Sequence, residues 1–206
     1  MADGTMIATE SQGMSEPRII ILVKAPRPGF VKTRLADVIG PKNACDAYCK
    51  LVNTLLGNLT DLPRAELRFT PDNAEPEISQ WLHEGWTAMP QGGGDLGERM
   101  QRAITEAQCP AILIGSDCPD INLKDIATAR EALGKNDVVI GPAVDGGYWL
   151  IGLQVPCPVL FNGIQWSKDN VLKETLARSE KAGLSVHLLR ELADVDTVED
   201  WVAFNN

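Results

Sequence analysis

The chain has 206 residues, 44% hydrophobic and 23% charged, with a formal net charge of −9 at pH 7. That length fits one large α/β domain better than two small ones, and no apolar run approaches the ~20 residues that cross a membrane. The acidic balance argues against general nucleic-acid binding, but it is uneven. Arg18–Arg34 holds five basic residues and no acid, leaving fourteen basic residues against all 28 acidic ones elsewhere. A cationic segment in an otherwise acidic chain points to a small anionic ligand rather than a polyanion.

Met1–Glu16 is polar and small, without the apolar core of a signal peptide. It reads as a disordered extension, with Met14 an alternative start, ahead of a single domain over 17–206. The cysteines are odd in number and scattered; Cys45 and Cys49 stand at i, i+4 with no second pair at zinc-site spacing. They read as reduced thiols of a cytoplasmic protein. With only His83 and His187, a histidine-based metal site or triad is a poor fit.

Arg18–Lys24, with Ile19-Ile20-Ile21-Leu22-Val23 at its centre, reads as a buried first strand. Ala25–Leu35 follows, where Pro26, Pro28 and Gly29 exclude helix until about Lys32. A strand, a basic loop and a helix N-terminus commonly hold phosphates; a solvated basic loop is the plain alternative. The segment is no P-loop, because Lys32 is not preceded by Gly and the earlier required Gly is absent. Asn43–Leu59 has helical periodicity, Leu67–Thr70 is a second strand, Ile78–His83 a short helix, and Thr87–Pro90 a poorly marked third strand.

Gly92, Gly94 and Gly97 formally match G-x-G-x-x-G. The strand before them is weak, the unit lies far from the first strand, and Asp95 would repel a pyrophosphate there. Asp95 is better read as an N-cap, with Glu98 completing a capping box, while the glycine turn around Gly93 still allows close approach to a ligand. Ala111-Ile112-Leu113-Ile114 is a buried parallel strand ending in Gly115-Ser116-Asp117. Ligands of open α/β sheets bind beyond such strand ends, and a carboxylate there suits Mg²⁺ or Mn²⁺ that also holds phosphate oxygens. A structural role is the alternative, above all for Asp120 as a cap of the helix Leu123–Leu133.

Asp137–Gly141 is a further strand. Asp145-Gly146-Gly147 then places a carboxylate at the same sheet edge as Asp117, or forms an Asp-Gly hairpin turn. Tyr148 and Trp149 are either strand residues of the core or faces on which a sugar stacks. Ser167 is expected to cap a helix over Lys168–Ala182, Leu184–Leu189 to form the last strand, and Thr197 or Asp196 to cap a terminal helix. The alternation of strands and helices predicts a three-layer α/β domain with a mainly parallel sheet.

Five motifs in order carry a resemblance: Lys24-x-Pro26-x-Pro28-Gly29-x-Val31-Lys32-Thr33-Arg34-Leu35, Asp95-Leu96-Gly97-x-Arg99-Met100, Gly115-Ser116-Asp117-x-Pro119, Gly141-Pro142-Ala143-x-Asp145-Gly146-Gly147-Tyr148 and Asp194-Val195-Asp196-Thr197. Together they resemble a bacterial glycosyltransferase-like family of nucleotide-diphospho-sugar transferases, some linked to arsenosugar biosynthesis and related to 2-phospholactate guanylyltransferase. The resemblance implies a glycosyltransferase A-type fold. It implies that Lys24, Lys32 and Arg34, with Ser116 and Gly93 nearby, bind nucleotide phosphates. It further implies that Asp117 is a metal aspartate, that Asp196 is the second ligand with Asp194 as substitute, and that the metal is Mg²⁺ or Mn²⁺. Asp117 lacks an Asp two residues away, so the full Asp-x-Asp motif is missing. The expected activity is metal-dependent transfer of a sugar from a nucleoside diphosphate sugar to a small acceptor, with Asp145 and Asp117 as the catalytic pair. Nucleotidyl transfer with loss of pyrophosphate, or nucleotide binding without catalysis, are the alternatives.

Overall fold

The structure is a computed structural model that describes residues 15–108, 110–166 and 168–205. Met1–Met14 of the expected extension and the expected cap Ser167 lie outside the described residues. Glu16 lies within them and pairs with Arg130 at 2.7 Å.

Strand β1 (Arg18–Lys24) is the hub of the sheet. Ile19, Ile20, Ile21 and Val23 are all at most 1% exposed, so the run is covered on both faces, as a continuous apolar stretch predicts. It pairs in parallel with β2 (Glu66–Thr70) and with β4 (Ala111–Ile114). Beyond β2 lies the edge strand β3 (Thr87–Pro90), and beyond β4 come β6 (Tyr148–Leu153), β5 (Val138–Pro142) and the short edge strand β7 (Val186–Leu188), in the order β3-β2-β1-β4-β6-β5-β7. The expected three-layer architecture and mainly parallel sheet are present. β6 alone is reversed, pairing antiparallel with both β4 and β5.

Two cores flank the sheet. α2 (Pro41–Asn58) and α5 (Leu123–Leu133) pack on one face through residues such as Val52, Leu55 and Ile126. α4 (Leu96–Ala107) and α6 (Val171–Lys181) cover the other through Met100, Ile104 and Leu176. A smaller cluster joins α1 (Thr33–Ile39) to α2 and to α7 (Val198–Phe204) through Leu35, Ala44 and Trp201. The remaining helical segment is α3 (Glu75–Ile78), continued by a 3₁₀ turn at Ser79–Trp81. Because every strand but β6 points the same way, the loops after β1, β3, β4, β5 and β7 all emerge at one edge.

Several boundaries differ from the sequence reading. Asn122, not Asp120, caps α5: its extended backbone lets its side chain accept from the N–H groups of Lys124 and Asp125, while Asp125 returns a bond to Asn122. α6 begins at Val171 rather than Lys168, and β7 covers three residues rather than six. The capping box at Asp95–Glu98 forms as expected, and Thr197 rather than Asp196 caps α7.

One ionic cluster is built into the sheet. Arg68 of β2 is 1% exposed and Glu66 is 3% exposed. The Arg68 guanidinium reaches Glu66 and, at 2.5 Å, Glu106 of α4, while Glu66 also meets Arg18 of β1 at 3.3 Å. Removing one partner of a buried pair leaves the other charge uncompensated, which costs roughly 3–5 kcal/mol. Glu66→Ala leaves the Arg68 charge with Glu106 but part of its guanidinium unpaired, so it is expected to lower the unfolding free energy by less, roughly 1–3 kcal/mol, in urea titrations. The double replacement Glu66→Leu with Arg68→Met should lose much less, and equal losses would show that the two charges do not act as a unit.

Candidate active site

The common strand edge opens into a cleft of about 800 Å³. Its floor is set by Lys32. The loop after β1 turns at Gly29 (φ +83°) and delivers Lys32 at φ 47°, ψ 49°, a left-handed conformation that residues other than glycine rarely take. Lys32 stands at the N-cap of α1, but its side chain makes no cap bond. Its side chain is 3% exposed, and the ammonium lies 2.6 Å from Asp117 Oδ1 and 2.9 Å from Asp196 Oδ1. Burial alone would lower the affinity of that ammonium for its proton. The charges of Asp117 and Asp196 and their hydrogen bonds outweigh burial and raise its pKa. Arg34, one residue into α1, adds a second cation 3.6 Å from Asp196 Oδ2 and is largely exposed.

Asp117 sits where the apolar run of β4 ends. Its carbonyl accepts from the N–H of Val195 at 3.1 Å, which latches the segment carrying Asp194 and Asp196 against the end of β4. Asp194 is brought to the same place. Burial first, then the charges of Asp145 and Asp196, push its carboxyl up to about 6. Asp145 lies in a turn that closes β5 onto β6, with its Oδ1 accepting from the N–H of Gly147 at 2.9 Å. Asp145 is thus on a hairpin connection that also lines the cleft, but the connection is Ala143–Gly147 rather than a two-residue Asp-Gly turn, with positive φ at Gly146 and not at Asp145.

Ser116 is buried at the cleft floor, and its hydroxyl lies 3.2 Å from that of Tyr48 of α2. The Tyr48 oxygen accepts the Lys24 N–H at 2.8 Å, and burial pushes the phenol's pKa well above its ordinary value. Lys24 itself is exposed at the cleft wall.

The structure therefore brings Lys24, Lys32, Arg34, Ser116, Asp117, Asp145, Asp194 and Asp196 to one cleft. Gly93 is not on its wall: its carbonyl accepts from Arg102 at 2.9 Å, while Gly94 and Asp95 line the cleft instead. Trp149 is a core residue with its ring over Gly141 and its Nε1 donating to the Arg190 carbonyl at 3.1 Å, so it offers no face for a sugar. Tyr148 borders the cleft edge-on to Trp166, their ring centres 6.5 Å apart.

Trp166, Gln91, Arg99 and Lys168 also line the cleft, although the sequence reading assigned them no role. The signal for Trp166 lay in Gly97, the third glycine of the dinucleotide-like spacing. A Cβ at Gly97 would fall 2.6 Å from the Trp166 ring, so that glycine serves packing rather than pyrophosphate.

The donor set consists of hard carboxylate oxygens, the kind Mg²⁺ and Mn²⁺ take. Among the described residues, no group of three or more acidic, thiol or imidazole side chains converges closely enough to enclose an ion. Asp194, raised by burial first and then by the charges of Asp145 and Asp196, stands among like charges that Lys32 only partly offsets. The carboxylates fit an ion that completes its shell with phosphate oxygens, which is how Mg²⁺ is commonly held.

A family profile described as "Uncharacterized protein conserved in bacteria (DUF2064)" matches residues 57–168. No curated protein matches the chain. Among solved structures, a "putative nucleotide-diphospho-sugar transferase" from Desulfovibrio desulfuricans G20 is 37% identical, with a TM-score of 0.83 over 93% of this chain and 87% of that one. The 4-diphosphocytidyl-2C-methyl-D-erythritolsynthase of Anaerococcus prevotii DSM 20548 is 13% identical (TM-score 0.57, 92% of this chain and 97% of that one). The manganese complex of Rv0371C from Mycobacterium tuberculosis H37Rv is 12% identical (TM-score 0.52, 91% and 97%). These last two share the fold alone. With the profile match and the Desulfovibrio likeness together, the chain belongs to the bacterial DUF2064 family.

Proposed function

We propose that the protein is a glycosyltransferase that moves a sugar from a nucleoside diphosphate sugar to a small acceptor. The observation that carries this reading is the Lys32 ammonium, buried between Asp117 and Asp196 at the edge where α/β sheets take their ligands. The diphosphate leaving group would be held by Lys32 and Arg34, with Lys24 at the wall and the Ser116 hydroxyl at the floor. Cations fixed where charge develops stabilise the departing diphosphate without reorganising. The carbon–oxygen bond between the sugar and the diphosphate breaks as the acceptor oxygen bonds to that carbon, and Asp145 takes the acceptor's proton. Asp117 and Asp196, with Asp194 as substitute for the second, would hold Mg²⁺ or Mn²⁺, which when bound would neutralise part of the diphosphate charge.

The cleft runs past these carboxylates to Tyr148, Trp166 and Lys168, leaving room for a sugar and an acceptor. The name of the Desulfovibrio relative supports the same substrate class.

Incubation with Mn²⁺ and nucleoside diphosphate sugars should release nucleoside diphosphate slowly by hydrolysis, and Asp145→Ala should abolish the release. Pyrophosphate formed from a nucleoside triphosphate and a sugar phosphate, with donor sugars left intact, would assign nucleotidyl transfer instead. Turnover of neither, with binding retained, would leave a nucleotide-binding protein.

Lys32 makes a second expectation specific. A charge-assisted hydrogen bond contributes roughly 1.5–3 kcal/mol, so Lys32→Ala should weaken nucleoside diphosphate binding about ten-fold or more. Binding of the bare nucleoside should change little. The same variant frees both carboxylates, so Mn²⁺ alone should bind it more tightly than the parent. Calorimetry for the nucleotides and paramagnetic titration for Mn²⁺ check the two halves; equal loss of nucleoside and diphosphate binding would remove Lys32 from the phosphate site.

A further inference from the structure

Tyr48 is 2% exposed and reaches from α2 through the core to the end of the sheet. Its hydroxyl oxygen has two partners among the described residues. The N–H of Lys24, the last residue of β1, donates to it at 2.8 Å, and Ser116 Oγ, just beyond β4, lies 3.2 Å away. The direction of the second bond follows from the first. A backbone N–H can only donate, so the Tyr48 oxygen accepts there. The phenol's own hydrogen then needs an acceptor, and Ser116 Oγ is the acceptor in reach among the described residues. With the bond reversed, that hydrogen would have no protein partner in a nearly buried residue, which is the costlier arrangement. Tyr48 therefore donates to Ser116, and burial keeps the phenol protonated to do so.

A serine hydroxyl has lone pairs that accept and a single hydrogen that donates. Since Tyr48 fills an accepting position, the Ser116 hydrogen remains, and no acceptor among the described residues takes it. Ser116 borders the cleft one residue before Asp117, whose Oδ1 lies 2.6 Å from the Lys32 ammonium. The side chains around it at this end of the cleft include the carboxylates of Asp117 and Asp196, which accept and cannot donate. A free serine hydroxyl can turn to meet either a donor or an acceptor. Tyr48 removes that choice, and it does so from an oxygen that also holds the end of β1, where the basic loop begins.

Resting on the reading of this cleft as a nucleoside diphosphate site, we propose that Tyr48 is a positioning residue: it fixes the Ser116 hydroxyl as a donor to a phosphate oxygen of the ligand. A phosphate oxygen beside Lys32 can only accept, so it matches the one orientation that Tyr48 leaves to Ser116.

Calorimetry with UDP, CDP, ADP and GDP, each beside its nucleoside and in the presence of Mn²⁺, tests this on the parent, Tyr48→Phe, Ser116→Ala and the double variant, with folding checked by circular dichroism. Ser116→Ala should weaken the tightest diphosphate about ten-fold. Tyr48→Phe lets the hydroxyl spread over roughly three staggered wells, so the loss should be about three-fold. Neither change should alter nucleoside binding much. Because Tyr48 acts through Ser116, Tyr48→Phe should cost nothing further once Ser116 is Ala. A loss that Tyr48→Phe deepens in the Ser116→Ala background overturns the proposal, as does an equal loss of nucleoside and diphosphate, or no loss at all in Tyr48→Phe. No preference of the parent for any diphosphate over its nucleoside removes the phosphate site and the proposal together. If Tyr48→Phe does not fold, the Tyr48 hydroxyl proton decides by magnetic resonance. Linked hydrogen bonds strengthen one another, so it should move downfield with the diphosphate in the parent and not in Ser116→Ala; an unmoved proton in the parent overturns the proposal.

Discussion

The ion pairs of Lys32 hold the site together. One ammonium joins three pieces of chain that share no local structure: the loop after β1, the end of β4, and the segment after β7. Burying an ammonium is unfavourable unless anions meet it, and two carboxylates brought this close repel unless a cation lies between them. Each charge thus supplies what the others need. The left-handed backbone at Lys32 belongs to the same compromise, since a local conformational cost is tolerated where the surrounding structure fixes the residue.

The sheet makes that meeting possible. Six of its strands end at one edge, so residues far apart in the chain arrive as neighbours there. The Val195 N–H on the Asp117 carbonyl then registers the last carboxylates against the central one. Ser116 and Tyr48 extend the network downward into α2, so the longest helix of the fold backs the floor of the cleft.

Much of this was legible in the sequence because it rests on local signals. The apolar run ending at Asp117, the basic loop after β1 and the capping box at Asp95 each declare themselves within a few residues. The reversal of β6 does not, because an apolar run reads the same in either direction. Tyr148 and Trp149 look alike as neighbours, yet alternation along a strand packs one ring against the α4–α6 core beside Trp166 and the other into the opposite core against Gly141. Gln91 carries no local signal, since its amide is defined by carbonyls of two other strands. The sharing of Lys32 by Asp117 and Asp196 has no local signal either, because both carboxylates lie far along the chain from the basic loop.

The reversed strand has a consequence for how the cleft can diversify. Since β6 returns directly beside β5, only Ala143–Gly147 separate the two, and Asp145 rides on that tight turn. A Cβ on Gly146 would collide with the Asp169 carbonyl, so the turn is pinned from outside as well. That wall has almost no freedom to change its length. The opposite wall hangs on the connection from Lys24 to Thr33, whose Gly29 has open space around it. Insertions within this fold should therefore accumulate on the Lys24 side of the cleft, while the Asp145 side varies by substitution at constant length.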